Sequence, residues 1–121
     1  MSKQKRDSLV YIQDILDSIE KVEKYAFGLT FEEFKKNNMV IDAIIRNFEI
    51  IGEAVKHIPN TIKGRYPDIE WKEAAGFRDV LVHEYFGVEV EALWDTIKKN
   101  IPFFKKKIAK ILKHECFVQE D

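Results

Sequence analysis

The sequence predicts an all-α fold: an up-and-down bundle of four main helices with additional short helices and a kinked C-terminal helix. Two observations carry this prediction. Apolar residues recur at intervals of three and four over long stretches, as in amphipathic helices, and no stretch gives a strand signal. A chain of 121 residues has room for one core, so we expect a single helical domain over residues 1–121.

The first predicted helix covers residues 7–27 and ends at Gly28, because glycine adopts the left-handed conformation that closes helices. Thr30 and Glu33 then have the spacing of a capping box, which predicts a short second helix. The apolar face of the first helix consists of Leu9, Ile12, Ile15, Leu16, Ile19 and Val22.

The third predicted helix covers residues 39–58 and stops before Pro59. A broad apolar arc occupies one face, and a stripe of polar residues occupies the opposite face. Such a polar stripe is commonly a solvated row of ion pairs, each worth about 0.2–0.5 kcal/mol. Alternatively it is the wall of a functional cleft, in which case Asp42, Arg46 and Glu53 would support the functional residues. The whole stripe consists of Asp42, Arg46, Glu49, Glu53 and His57.

The remaining elements follow from glycine and proline positions. Residues 59–69 predict an irregular connection with at most one short helical turn. A fourth helix leads from Trp71 to Gly87, and a fifth follows, with a kink near Asn100 because Pro102 cannot continue the hydrogen-bond ladder. His114 and Cys116 lie near the end of the chain, which we expect to be frayed.

Composition restricts the class of protein. The net charge of -1 and the isoelectric point of about 6.3 lack the basic excess that drives non-specific nucleic-acid binding. No apolar run approaches the roughly 20 residues that cross a bilayer, and the N-terminus shows no secretion signal. A single cysteine fits a reducing compartment, so we expect a cytoplasmic protein. The last helix is rich in lysine, which is typical of a solvated terminal helix.

The most unusual stretch is Arg78, His83 and Tyr85, in the pattern R-x4-H-x-Y within an apolar helix. Arginine offers a permanently charged fork of donors for a phosphate, and histidine titrates near neutral pH. RNA cleavage needs a base for the 2′-hydroxyl, an acid for the leaving oxygen and positive charge at the phosphoryl oxygens. Arg78 and His83 fit those roles without a metal, and Tyr85 could hold a phosphate or stack on a base.

Helix geometry constrains this site. Five residues along a regular helix separate Arg78 from His83 by about 140°, so one helix does not direct both inward. Either the last turn before Gly87 is distorted or the cleft is shared between two chains. The chain offers more apolar surface than one core needs, in the apolar arc of the third helix, in Phe86 and in the aromatic pair Phe103 and Phe104. This surplus predicts a two-fold dimer.

Two simpler interpretations remain open. Arg78 could be a buried arginine paired with Asp79, and His83 a core histidine bonded to a backbone carbonyl. Metal binding is weakly supported, since Glu53 and His57 supply only two ligands at i,i+4. No motif for a nucleotide cofactor is present. We therefore expect neither a metal nor a cofactor.

R-x4-H-x-Y, together with the segments at residues 46–54 and 67–71, resembles the HepT-like branch of the HEPN-domain proteins over nearly the whole chain. The resemblance implies a homodimeric, metal-independent ribonuclease toxin, paired with a minimal nucleotidyltransferase antitoxin. It implies that Arg78 and His83 are catalytic and that the antitoxin adds AMP to Tyr85. Asp79 lies within the family's range at its position. The alternative is a non-catalytic nucleotide-binding or scaffold subunit of a nucleotidyltransferase pair.

Overall fold

The computed structural model describes the backbone of residues 3–76 and 90–118 and the side chains of residues 7–76 and 90–115. All regular structure in these residues is helical, which confirms the all-α class. The predicted fourth helix is described only over its first part, and its remainder lies outside the described residues. In chain order the elements are α1 (Lys3–Ala26), α2 (Phe31–Lys35), α3 (Asn38–Lys56), α4 (Asn60–Arg65), α5 (helical residues 71–76), α6 (Val90–Asp95), a π-helical turn (Thr96–Asn100) and α7 (Ile101–Val118).

The core lies where α1 packs against α3 and α7. Helix α1 starts earlier than predicted, because residues 3–6 are lysine, glutamine and arginine, which are good helix formers. The predicted apolar faces are confirmed as core faces. Their buried members are Leu9, Ile12, Ile15, Ile19 and Val22 on α1, and Ile41, Ile44, Ile45, Phe48, Ile51 and Val55 on α3.

The connection from α1 to α3 follows the predicted local signals. Gly28 adopts φ 78°, and the Leu29 amide donates to the Ala26 carbonyl at 3.2 Å. The capping box is present: the Glu33 amide donates to Thr30 Oγ1 at 3.2 Å, and the Thr30 amide donates to Glu33 Oε1 at 2.9 Å. A helix of five residues is not stable alone, so this cap and the fully buried Phe34 hold α2 in place.

The connection from α3 to α5 is more ordered than predicted. It contains α4, a helix of six residues rather than a single turn. Pro59 is its N-cap residue, and the Pro59 carbonyl accepts hydrogen bonds from the amides of Ile62 and Lys63 at 3.1 Å each. Ile62 and Ile69 are 3% and 4% exposed, so the segment is held on the core by apolar side chains whose burial the proline and glycine positions did not reveal.

The predicted interruption near Asn100 is confirmed, and it has the form of a π-helical turn. Pro102 has no amide hydrogen, and its ring would clash with the Lys98 carbonyl in a regular α-helix. The chain widens instead, and the Ile101 amide donates to the Thr96 carbonyl five residues earlier. Both Ile97 and Ile101 therefore remain in the core, at 4% and 1% exposure.

Candidate functional site

Four predicted site residues, Arg78, Asp79, His83 and Tyr85, lie outside the described residues. Their roles stay predictions. The structure does describe the segment that leads into their helix and the polar stripe on α3 that was predicted to support them.

The segment that precedes the motif in the sequence is fixed on the core. Ile69 and Ala74 are buried, at 4% and 3% exposure. The indole Nε1 of Trp71 donates to the Tyr66 carbonyl at 3.1 Å, and the Trp71 amide donates to the Ile69 carbonyl at 2.9 Å. Helix α5, which precedes the motif in the sequence, thus starts from a defined position, held by apolar burial and by hydrogen bonds.

Four residues of the polar stripe on α3 line a concavity between α3 and α1 that is open to solvent and has a volume of about 400 Å³. In this polar cleft the side chains of Arg46, Glu53 and His57 are 69%, 51% and 52% exposed. Of the three predicted support residues, Arg46 and Glu53 line it and Asp42 does not. Their support of Arg78 and His83 stays a prediction. The described lining consists of Tyr11, Asp14, Arg46, Glu49, Ile50, Glu53, Ala54 and His57.

Contacts within the polar cleft include ion pairs along α3 and a ring contact between α1 and α3. Arg46 Nη1 lies 3.4 Å from Glu49 Oε2, and His57 Nε2 lies 3.8 Å from Glu53 Oε1, as expected for neighbours on one helix. The ring of Tyr11 stacks on His57, with centroids 4.8 Å apart and planes 10° from parallel. Sequence reasoning missed Tyr11 because this contact depends on how α1 docks on α3.

A second polar cluster joins α4 to α7, and no spacing or composition in the sequence predicted it. Glu115 is fully buried, and Arg65 donates to both of its oxygens, at 2.6 Å from Nη2 and 3.2 Å from Nε. The Tyr66 hydroxyl donates to Glu115 Oε2 at 2.7 Å and lies 2.7 Å from His114 Nδ1. Helix α7 continues to Val118, so His114 lies within it, and the end of the chain after residue 118 lies outside the described residues.

The cluster has a defined protonation pattern. Burial, followed by the hydrogen bond to Glu115, raises the pKa of Tyr66 to about 12. The hydrogen bond to Glu115 raises the pKa of Arg65 above its ordinary value. Because the single hydroxyl hydrogen of Tyr66 goes to Glu115, Nδ1 of His114 must be the donor toward the Tyr66 oxygen. Nε2 is then the nitrogen of His114 that is left for a ligand.

Comparison with known proteins assigns the family. A family model described as "Ribonuclease HepT-like" matches residues 15–111. The chain belongs to the HepT-like ribonuclease family. The family segment contains the α3 side of the polar cleft and the four predicted site residues from Arg78 to Tyr85. It ends before His114 and Glu115.

Relatives of this HepT-like chain agree with that assignment. A protein of Thermococcus cleftensis named "Probable ribonuclease HepT" is 45% identical over 109 residues, covering 90% of this chain and 99% of that protein. A protein of Methanocaldococcus jannaschii, provisionally named as an RNase, is 43% identical over 109 residues, covering 90% of each chain. Another of that name, from Caldanaerobacter subterraneus subsp. tengcongensis, is 42% identical over 105 residues, covering 87% of this chain and 94% of its own. No solved structure matches the chain.

Two further properties concern the described part of this HepT-like chain alone. None of its helices there combines the length and apolar character needed to cross a bilayer. Its described His, Cys, Asp and Glu side chains form no group of three or more arranged to hold a metal ion.

Proposed function

We propose that this protein is a metal-independent endoribonuclease toxin of a toxin-antitoxin pair. The observation that carries the proposal is R-x4-H-x-Y, at Arg78, His83 and Tyr85, in a chain that belongs to the HepT-like ribonuclease family. The names of its relatives from T. cleftensis and M. jannaschii support RNA as the substrate.

In the proposed reaction the 2′-oxygen of a ribose attacks the adjacent phosphorus. A histidine removes the 2′-hydroxyl proton, the bond from phosphorus to the 5′-oxygen breaks, and an acid returns a proton to that oxygen. The products are a 2′,3′-cyclic phosphate and a 5′-hydroxyl. His83 takes the proton-transfer role, and the guanidinium of Arg78 stabilises the charge on the phosphoryl oxygens. Asp79, Arg46, Glu53 and Asp42 orient these two residues.

The active form is proposed to be a homodimer with two motifs around one cleft. The 140° between Arg78 and His83 on a regular helix supports this arrangement, because a second chain supplies the group that one helix directs away. Two copies of His83 would then be available, one as base and one as acid. Sedimentation that shows only monomers at micromolar concentration would contradict the shared cleft.

The proposed partner is a minimal nucleotidyltransferase that acts as antitoxin by transferring AMP to Tyr85. Tyr85 stands two residues before Gly87 in the sequence, and glycine is the residue that most often closes a helix. A side chain in a terminal turn can project far enough for another enzyme to reach its hydroxyl. The added phosphate would compete for Arg78, and the adenosine would occupy space that RNA needs.

One observation favours a second candidate, a non-catalytic nucleotide-binding or scaffold subunit of a nucleotidyltransferase pair. The net charge of -1 lacks the basic excess of most RNA-binding proteins. In that case Arg78 and His83 would hold a nucleotide phosphate without breaking a bond.

Substitution of His83 tests the proposal. Purified wild-type protein, His83→Ala and Arg78→Lys are incubated with RNA, and their thermal unfolding is measured in parallel. We expect His83→Ala to lose cleavage entirely and Arg78→Lys to lose most of it, since lysine keeps the charge without the two-pronged fork, with unfolding temperatures near that of wild type. Absence of cleavage by the wild-type protein, with RNA or nucleotide binding only partly reduced in His83→Ala, would indicate a binding subunit. Loss of stability instead of activity would indicate a structural role.

A further inference from the structure

A second concave surface lies between the segment after α4 and the outer face of α7. Its residues precede and follow the motif in the sequence. This basic groove has a volume of about 680 Å³ and is open to solvent. No role is assigned to it by the motif or by the proposed reaction. Its walls are formed by Arg65, Tyr66 and Asp68 on one side and by Lys107, Lys110 and His114 on the other.

The groove concentrates positive charge on a chain that is neutral overall. Four cationic side chains line it: Arg65, Lys107, Lys110 and Lys113. Among the described lining residues Asp68 is the one carboxylate. The nearby Glu115 is fully buried and accepts two hydrogen bonds from Arg65, so the charges of these two residues offset each other. The three lysines against Asp68 leave a local excess of positive charge that the net charge of the chain conceals.

Two contacts hold the groove in shape without a ligand. Lys107 Nζ donates to the Asp68 carbonyl at 2.7 Å, which ties α7 to the opposite wall. At the other end, the rings of Tyr66 and His114 meet edge to face, with centroids 6.0 Å apart. Because both walls are fixed, a ligand would bind with little ordering of the backbone.

The polar groups of α7 form a row along the groove. Lys107, Lys110 and His114 share one face of α7 and span about 10 Å at 1.5 Å per residue. A row of this length can meet more than one phosphate of a single strand. In its neutral form His114 presents Nε2 as an acceptor, which suits a ribose 2′-hydroxyl.

We propose that the basic groove binds the sugar-phosphate backbone of a single RNA strand. The choice of RNA rests on the proposed function. Lysine is depleted at the centre of protein interfaces, where aromatic residues and methionine are enriched. None of the large apolar side chains that are exposed in the described residues, Val10, Phe27, Met39 and Phe103, lines this groove. These properties favour a phosphate backbone over an acidic protein.

Charge reversal with a matched control tests the groove. Lys110→Glu/Lys113→Glu changes two exposed groove lysines, and Lys21→Glu/Lys36→Glu makes the same change in net charge at exposed lysines outside the groove. Both pairs are made in His83→Ala, so that RNA stays intact. Binding of a single-stranded RNA of about 16 nucleotides is measured by fluorescence anisotropy over a range of salt concentrations.

We expect the groove pair to weaken binding by about 10- to 100-fold and to lower the slope of log K against log salt by about two, one for each lost phosphate contact. The control pair should stay within about two-fold, since distant exposed charges are screened. Lys110→Gln/Lys113→Gln should show a smaller loss in the same direction, which excludes misfolding. Equal losses in the groove and control pairs, or no RNA binding by the parent protein, would overturn the proposal.

Two further outcomes separate the groove from the nuclease. Cleavage and RNA affinity that are both unchanged by the groove pair in otherwise wild-type protein would overturn the groove and leave the nuclease. RNA binding that depends on Lys110 and Lys113 without any cleavage would leave the groove and overturn the nuclease. Polyglutamate that binds the groove as tightly as RNA of equal charge would indicate an acidic protein as ligand and overturn the choice of RNA.

Discussion

At the scale of single residues, the hydroxyl of Tyr66 gives a pH-dependent test of the cluster around Glu115. Its pKa is raised from 10.0 to about 12 in the folded protein. Below pH 10 both the folded and unfolded states keep the proton. Between pH 10 and 12 the unfolded state loses it first, so the contribution of Tyr66 to stability falls as pH rises.

We therefore expect the free energy of unfolding of wild type to fall more steeply from pH 10 to 12 than that of Tyr66→Phe, measured by urea denaturation. The comparison is needed because burial lowers the pKa of Lys63, which acts in the opposite direction in this range and is present in both proteins. Parallel curves for the two proteins would show that Tyr66 ionises alike in both states and that the cluster does not hold its proton.

The proposed switch at Tyr85 is also a question about one hydroxyl. Tyr85→Phe keeps the proposed proton-transfer and phosphate-stabilising groups, so it should retain much of the nuclease activity. It offers no oxygen for AMP, and so it should escape the transferase activity of the antitoxin. The measurement is growth of cells that co-express either form with the proposed nucleotidyltransferase partner, beside the mass of the wild-type chain. A wild-type chain that is neutralised without gaining mass would point to steric inhibition.

Local residue pairs were predictable from the sequence and distant ones were not. Thr30 and Glu33 are three residues apart, and their capping box is built from backbone groups that the sequence spacing already defines. Arg65 and Glu115 are separated by 50 residues. Their pairing depends on how α4 docks on α7, and neither periodicity nor composition carries that information.

At the scale of elements, the packing of α2 on the core depends on Phe34. Phe34 is fully buried, and its ring centroid lies 4.9 Å from that of Trp94 at the end of α6. We expect Phe34→Ala to lower the free energy of unfolding by about 3–5 kcal/mol, because it opens a cavity and frees a helix that is too short to stand alone. Phe27→Ala is the matched control.

Phe27 is 84% exposed, so its removal should change the free energy of unfolding by no more than about 0.5 kcal/mol. Chemical denaturation of the two variants beside wild type provides the comparison. Similar losses in both would mean that α2 is not anchored through Phe34.

The interruption of the C-terminal helix could be predicted from the sequence, but the form of the interruption could not. Pro102 predicts an interruption, since the missing amide and the ring clash are local properties of proline. Whether the chain bends, restarts or widens depends on which apolar residues must stay buried on both sides. Ile97 and Ile101 both reach the core, and the π-helical turn between them allows it.

At the scale of the whole molecule, the core of the single chain already buries much of the apolar surface that was expected to form a dimer contact. The apolar arc of α3 was expected to exceed the needs of one core, yet Ile44, Phe48 and Ile51 are buried within the single chain. Of the aromatic pair, Phe103 is 65% exposed and Phe104 is half-buried. The proposed dimer therefore depends on the division of Arg78 and His83 between two chains rather than on surplus apolar surface from α3.

The central claim is that this HepT-like protein breaks RNA through the ribose 2′-hydroxyl without a metal, and one cleavage assay tests it most directly. Wild-type protein is incubated in excess chelator with an RNA and with the same sequence in 2′-deoxy form, and the product ends are identified by mass. We predict that the RNA is cut to fragments with 2′,3′-cyclic phosphate and 5′-hydroxyl ends and that the deoxy strand stays intact. Cleavage of the deoxy strand, or loss of RNA cleavage in chelator, would contradict the account.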